Sequence, residues 1–358
     1  MRVALDATYC VDPHPSGIAV YSRELLAGLA SSYPGDEFLH CYRAKQLRRS
    51  GRPSGPNVSR RLLLPGLPIW FPAFKADLFH ALNQRVDVRP AKKVVATFHD
   101  LFVMTGNYSS AAFQERFTAQ ARQAAQNSDL VITVSQFTAG QVASLLNVEP
   151  ARIRVIPHGV RMPMPREPAF REQTPHETGR EKLILFVGAL QVRKNIARLV
   201  QAFEAMSLNT TWRLVLAGSP TGFGADEILQ RIERSRCRNR VEVTGYVSQS
   251  ALERLYERAS IFAFPSLDEG FGMPVLEAMA RGIPVVTSNR SALPEVAGNA
   301  AILVNPESPE EITDALTRLT ADPQLRGTLA GLGRLRAETY PWQQAVDTSY
   351  SVYRELLG

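Results

Sequence analysis

Short apolar runs alternate with longer amphipathic stretches along the whole chain, and the alternation breaks once. In the first half, strands are expected over Arg2–Thr8, Phe38–Tyr42, Leu78–Ala81, Val94–Phe98, Leu130–Val134 and Arg152–Ile156. They read as near-continuous apolar runs, the pattern of parallel strands covered on both faces. Between them, Ile18–Leu29, Ala111–Asn127 and Gln136–Leu146 predict helices, with Ser16 and Ser135 placed to cap the first and last. The break is Arg161–Lys182, proline-rich, charged and without apolar periodicity, which reads as a linker. Strands then resume at Leu183–Leu190, Arg213–Ala217, Val241–Thr244, Ile261–Phe264, Pro284–Thr287 and Ala301–Val304. The expected class is α/β: two doubly wound, Rossmann-like domains facing a cleft, residues 1–160 and 183–339, joined by linker 161–182 and followed by a C-terminal helix within 340–358.

One stretch organises the second half. Asp268–Pro284 (DEGFGMPVLEAMARGIP) follows the apolar run Ile261–Pro265. Gly270 and Gly272 flank Phe271, and Pro274 stands where a helix begins, a position that tolerates its missing N–H. Gly282 and Pro284 end the helix. A strand, a glycine loop and a helix present backbone N–H groups and a positive dipole end to an anion. Two carboxylates flank this site, Glu269 and Glu277, with seven residues between them. A bare phosphate site disfavours such charges, whereas a ligand carrying hydroxyls beside its phosphates uses them as acceptors. The pattern points to a nucleotide sugar. Acidic residues near a helix start are also explained by the dipole alone.

Other candidates lie at strand ends, where open α/β sheets bind ligands. His99, followed by Asp100, ends one strand; His80 ends another and is a weaker candidate for an acceptor-lining residue. Gly17 closes the loop after the first strand. Arg193 and Lys194, in GALQVRKN, stand just before a helix and suit a diphosphate, although a basic pair is equally a solvated surface feature. Gly218, and Tyr246 with Val247, sit in turns that close two further strands and that need no ligand to explain them.

Composition changes the picture in four respects. The 358-residue chain is long enough for two cores, and its 45% hydrophobic and 21% charged content is that of a globular protein. Three well-separated cysteines, Cys10, Cys41 and Cys237, argue against a disulfide framework and for a reducing compartment. Met1–Ala7 reads as a strand rather than a leader, and no apolar run reaches the ~20 residues of a membrane span. The net charge of +7 is uneven. Phe38–Ala76 carries no acid but holds Arg43, Lys45, Arg48, Arg49, Arg52, Arg60, Arg61 and Lys75, beside the apolar Leu62–Phe74. Cations next to Leu, Trp and Phe suit an anionic bilayer surface.

EGFGMPVLE (Glu269–Glu277) resembles the signature of retaining glycosyltransferases of family 4, which have the GT-B fold. The resemblance covers nearly the whole chain and is sharpest at Glu269–Glu277, Arg193–Asn195 and His99–Asp100. It implies that the C-terminal helix crosses back onto the first domain. It implies that Lys194 binds the donor diphosphate, that His99 contacts the donor sugar near the reacting carbon, that Gly17 lies in a loop near the donor phosphates and acceptor, and that Gly218, Tyr246 and Val247 surround the nucleotide base. Two positions depart from the pattern: Ala189 replaces an arginine often found after the glycine, and His158 replaces the asparagine of an N-G-V turn and is assigned no contact.

The resulting expectation is a retaining hexosyltransferase with Glu269, His99, Lys194 and Arg193 as catalytic residues and Gly17, Gly218, Tyr246, Val247, Gly270, Phe271, Gly272 and Glu277 in the donor site. Further resemblance is to mannosyltransferases of bacterial surface polysaccharide or lipopolysaccharide assembly. This implies GDP-mannose as donor and a lipid-linked or polysaccharide acceptor, with peripheral contact to an anionic membrane and a cytoplasmic location at the inner membrane. No cofactor is expected, because the nucleotide-diphosphate sugar is a substrate, and metal independence is expected, because the sequence shows no metal-ligand cluster. A UDP-sugar donor, or a sugar-nucleotide epimerase or phosphorylase of the same fold, would use similar contacts. A nucleic-acid-binding protein would interleave its basic residues with stacking aromatics; here the aromatics cluster with leucine and proline, and no nucleic-acid partner is expected.

Overall fold

The computed structural model describes residues 1–12, 16–51, 55–63, 75–163, 179–207 and 210–358. The chain forms two compact units, Met1–Gly159 with Pro341–Gly358, and Val160–Tyr340.

The first unit is built on β1 (Arg2–Asp6), α1 (Gly17–Ser32), β2 (Glu37–Tyr42), α2 (Ala44–Arg49), β3 (Val58–Leu62), β4 (Leu78–Ala81), β5 (Lys93–Phe98), α3 (Phe102–Thr105), α4 (Ala111–Asn127), β6 (Leu130–Thr133), α5 (Gln136–Leu146) and β7 (Ile153–Val155). Its seven strands are all parallel, in the order β3-β2-β1-β4-β5-β6-β7. Side chains alternate between faces: Val3 and Leu5 join one core with Tyr21, Leu25 and Leu29 of α1, while Ala4 joins another with Ala121, Ala124 and Val142 of α4 and α5. Both faces are therefore covered, as a parallel sheet requires.

The second unit contains β8 (Glu181–Val187), α6 (Ile196–Ser207), β9 (Arg213–Ala217), α7 (Ala225–Glu233), β10 (Val241–Gly245), α8 (Gln249–Arg258), β11 (Ala259–Phe264), α9 (Met273–Ala280), β12 (Val285–Ser288), α10 (Leu293–Ala297), β13 (Ala301–Val304), α11 (Pro309–Ala321) and α12 (Pro323–Glu338). Its six parallel strands run β10-β9-β8-β11-β12-β13. Each sheet thus reverses its direction of winding once, between β1 and β4 in the first unit and between β8 and β11 in the second. Ligands of open α/β sheets bind outside the carboxyl ends of the strands at this switch point.

The last helix, α13 (Trp342–Leu357), belongs to the first unit and packs on α1. Gly28 leaves room for the approach, since a Cβ there would lie 2.4 Å from Val346 Cγ2. The rings of Tyr33 and Tyr350 stack, with centroids 3.4 Å apart.

Several expectations shift. The first strand stops at Asp6, and Thr8–Val11 form a 3-10 turn. Ser16 occupies the α1 N-cap position without a side-chain cap, whereas Ser135 accepts a bond from Thr138 N at 3.0 Å. The basic segment, for which no element was expected after Tyr42, contains α2 and the edge strand β3. Arg60 is also tied down there, donating to the carbonyl of Ser50 at 2.7 Å. The apolar residues 64–74, on which the bilayer reading leans, lie outside the described residues. β8 begins at Glu181, within the stretch read as linker, most of which also lies outside the described residues. Among those described, no helix is long and apolar enough to cross a membrane.

Candidate active site

The sharpest sequence candidates of the second unit converge at its switch point. After β8 the chain passes Gly188, Ala189 and Leu190 into a 3-10 turn, Val192–Lys194, and Asn195 then adopts a left-handed conformation before α6 begins. Asn195 Nδ2 donates to the carbonyls of Pro265 and Pro306, at 3.0 and 2.6 Å. Leu267 N donates to the carbonyl of Arg193 at 2.8 Å. These bonds lash the β8 turn to the β11 turn and set Arg193 and Lys194 against Glu269.

Arg193 Nη1 lies 2.9 Å from one Glu269 oxygen, and Lys194 Nζ lies 2.6 Å from the other. Arg193 also donates to the carbonyl of Asp268. Lys194 Nζ stands 4.8 Å from the centroid of the Phe264 ring, a further stabilising contact for a cation. Arg193 and Glu269 are each only 7% exposed, so this pair is not the solvated surface feature that basic residues usually are. Burial disfavours the Glu269 charge, but Arg193 and Lys194 together outweigh it and hold the carboxyl down at about 2. The group is a permanent carboxylate at neutral pH, and the trio carries one net positive charge.

The glycine loop is shaped by close packing. Gly272, the N-cap of α9, has φ +106°, and a Cβ there would lie 2.6 Å from Leu293 Cδ2. Phe271 is buried and meets Tyr340 edge to face at 5.9 Å. The Glu269 amide donates to Ser291 Oγ at 3.1 Å, and Ala292 N donates to the Glu269 carbonyl at 3.2 Å. The turn before α10 therefore supports the acidic loop. Gly270 follows Glu269 in this buried loop.

Glu277 lies one helical stretch away and does not join the ion-paired trio. Its carboxylate accepts from Tyr256 Oη at 2.8 Å. Burial pushes it above the usual carboxylate range, against the pull of Tyr256 and Arg281. The two acids of the pattern thus have opposite electrostatic settings.

Gly188, Gly218 and Gly245 end three neighbouring strands. Gly218 N donates to the carbonyl of Gly245 at 3.0 Å, and a Cβ on Gly218 would lie 2.1 Å from the carbonyl oxygen of Gly188. Tyr246 is exposed and Val247 half-buried just beyond. All these residues stand at the carboxyl edge of the second sheet.

His99 and Gly17 belong to the first unit. Gly17 is exposed at the start of α1. His99, at the carboxyl end of β5, is 7% exposed. Its Nε2 lies 2.9 Å from the carbonyl of Leu82, which can only accept, so Nε2 carries the proton. His99 Nδ1 lies 3.3 Å from His158 Nε2, and the rings stack with centroids 5.3 Å apart. Tyr21 packs edge-on against His99 at 4.9 Å. Burial lowers His99 to about 4, and burial beside His99 holds His158 well below its ordinary value. Both are neutral near pH 7.

His158, assigned no contact from the sequence, is therefore a direct neighbour of His99, and its departure from the N-G-V turn was the signal available. His80 is corrected in the other direction. It is fully buried, with Nδ1 2.6 Å from Tyr353 Oη and Nε2 2.8 Å from Thr97 Oγ1, so it serves the core rather than an acceptor surface.

Comparison with known proteins places this architecture. Residues 168–334 match the family described as glycosyl transferases group 1, and residues 15–162 match glycosyltransferase family 4. The chain is 30% identical to the O-antigen chain mannosyltransferase B of Escherichia coli, over 83% of its own length and 79% of that protein. Sucrose-phosphate synthase from Thermosynechococcus elongatus superposes with a TM-score of 0.79 at 21% identity, covering 99% of each chain. HepE from Anabaena, solved with UDP and glucose, superposes with a TM-score of 0.74 at 18% identity, again covering 99% of each chain. The chain has the GT-B fold and belongs to the family 4 glycosyltransferases. It is a glycosyltransferase.

Proposed function

We propose that this enzyme is a retaining hexosyltransferase that moves mannose from GDP-mannose to a lipid-linked or polysaccharide acceptor. The observation that carries the reading is the buried trio of Arg193, Lys194 and Glu269 at the switch point of the second sheet. It combines cations for a diphosphate with a permanent carboxylate for a sugar. The mannosyl assignment is supported by the name of the Escherichia coli relative.

In this mechanism the bond from the sugar anomeric carbon to the diphosphate oxygen breaks, and the acceptor oxygen bonds to the same face. The acceptor proton passes to the departing phosphate oxygen, so charge and protons balance without a cofactor. Arg193, Lys194 and the amides around Gly270, Phe271 and Gly272 neutralise the leaving diphosphate, the kind of preorganised stabilisation that dominates such catalysis. Glu269 faces the positive charge that develops at the anomeric carbon. Glu277 holds the ribose, and Gly218, Tyr246 and Val247 surround the base. Gly17 and His99 serve the sugar and acceptor from the first unit, His99 as a neutral hydrogen-bonding group. Ala189 leaves the diphosphate grip to Arg193 and Lys194. The reaction runs without a divalent metal. Free Cys10, Cys41 and Cys237 and a nucleotide-sugar donor suit the cytoplasm, with peripheral attachment to the inner membrane.

The test is a thermal-shift panel of GDP, UDP, ADP and their common sugar conjugates, with and without EDTA, since a ligand of the native state raises Tm by mass action. GDP and GDP-mannose are expected to shift Tm in EDTA. A shift confined to UDP compounds overturns the mannosyl donor, and no shift by any nucleotide overturns the donor site.

A further inference from the structure

The first sheet has its own switch point, between β1 and β4, and a cavity of about 260 Å³ opens there. It is lined by Tyr9 and Asp12 of the turn after β1, by Arg43, Lys45 and Arg49 after β2, and by Arg85 in the loop after β4. Three chain segments, each following the carboxyl end of a strand, thus bring four cations to one concave site, Lys45 and Arg49 from α2; Asp12 is the one carboxylate that lines it, and the buried Asp6 carboxyl attracts Arg43 and Arg85 from beneath. Among the described residues, none of the four cations forms an ion pair or donates a side-chain hydrogen bond, in contrast to Arg60 and Arg89 nearby in sequence, which do both or one. Gathering like charges costs energy unless an anion answers them.

We propose that this cavity binds a phosphate or diphosphate group carried by the acceptor. The inference rests on the glycosyltransferase reading above and adds the acceptor's chemistry. A concave site lined by four cations from separate chain segments suits a compact polyanion. A flat bilayer surface would engage exposed cations such as Arg48 equally, and Arg48 does not line the cavity. Two acceptor types supply the required group: a prenyl diphosphate carrier and a soluble phosphorylated sugar. The site stands on the same sheet edge as His99, which follows the strand adjacent to β4.

The test is calorimetric titration of the full chain with inorganic pyrophosphate and, separately, with farnesyl diphosphate, with saturating GDP present to occupy the Arg193–Lys194 site. The titrations are repeated on Arg43→Ala/Arg85→Ala and on Lys45→Ala/Arg49→Ala. Pyrophosphate is expected to bind, and each double variant to weaken it at least tenfold while GDP binding stays unchanged. Tighter binding of farnesyl diphosphate than pyrophosphate assigns a lipid carrier; equal binding assigns a soluble phosphorylated acceptor. Absence of pyrophosphate binding, or binding that neither double variant alters, overturns the proposal. So does association seen only with phosphatidylglycerol vesicles, which would make the patch a membrane contact. If GDP itself fails to bind, the donor reading fails separately, and the titrations without GDP still decide the cavity through the same variants.

Discussion

Lys194 donates a 2.6 Å hydrogen bond to Glu269 from 75 residues away in sequence. The pairing means that the cations proposed to hold a diphosphate are already engaged by the proposed sugar-facing carboxylate, and donor binding shares them with it.

Glu269→Gln tests this sharing. The sequence alone suggests that the substitution abolishes transfer and spares folding. The structure revises the second half: removing the carboxylate charge strands two buried cations, at a cost of about 2–4 kcal/mol. The same loss frees the cations for the ligand. Transfer should collapse, Tm should fall, and GDP should bind at least as tightly as to the native enzyme. Weaker GDP binding would show that Glu269 does not compete with the diphosphate.

Lys194→Ala removes one of the two cations facing the leaving group. Transfer is expected to drop by about 10²–10³-fold, the magnitude typical of losing one charge-stabilising donor. Steady-state kinetics should show the loss mainly in kcat. A variant that retains native kcat would remove Lys194 from the leaving-group site.

Glu277→Gln separates the two acids. Glu277 accepts from Tyr256 and stands outside the trio, so its proposed contact with the ribose acts on binding. The donor KM should rise severalfold with kcat little changed. A kcat loss as large as that of Glu269→Gln would contradict the division of roles.

Gly218→Ala probes the stacked strand ends. Its Cβ would meet the backbone of Gly188 at 2.1 Å, and backbone cannot swing aside. Destabilisation of about 3 kcal/mol or more is expected. Gly331, exposed in α12 with nothing within 4 Å of an added Cβ, is the control. Gly331→Ala should stabilise by about 0.5–1 kcal/mol. Urea denaturation of the two variants measures both signs.

Stability should fall on acidification below neutrality. Burial lowers His40 and His99 to about 4 and His80 to about 3, with His158 also lowered. From their ordinary 6.5 downward the unfolded chain takes up protons that the native state refuses, so stability drops as pH falls from 6.5 toward these lowered values. At pH 5 the loss is about 2 kcal/mol per histidine. The Glu269 contribution acts lower, between its ordinary 4.5 and about 2. Urea midpoints at pH 7.5 and 5.0 should differ clearly with similar slopes; identical midpoints would mean that these histidines are accessible.

Local chemistry made much of the framework legible. Helices Ala111–Asn127 and Gln136–Leu146 and strands Leu78–Ala81, Arg213–Ala217 and Ala301–Val304 have the bounds expected from the sequence. Periodicity, caps and turn residues act over a few positions, and these elements are governed by them. The strand, glycine loop and helix around Glu269 and Glu277 were equally readable, because that signature is contiguous.

Only tertiary structure decided who touches whom. Strand order places β8 beside β11, which joins Arg193 and Lys194 to Glu269 and leaves Glu277 to Tyr256. It sinks His80 into the core and sets His158 against His99. It also brings Arg85 to Arg43, Lys45 and Arg49, so that a basic stretch read as an open surface becomes one wall of a cavity. Burial and partner choice depend on contacts across tens of residues, and a local pattern does not carry them.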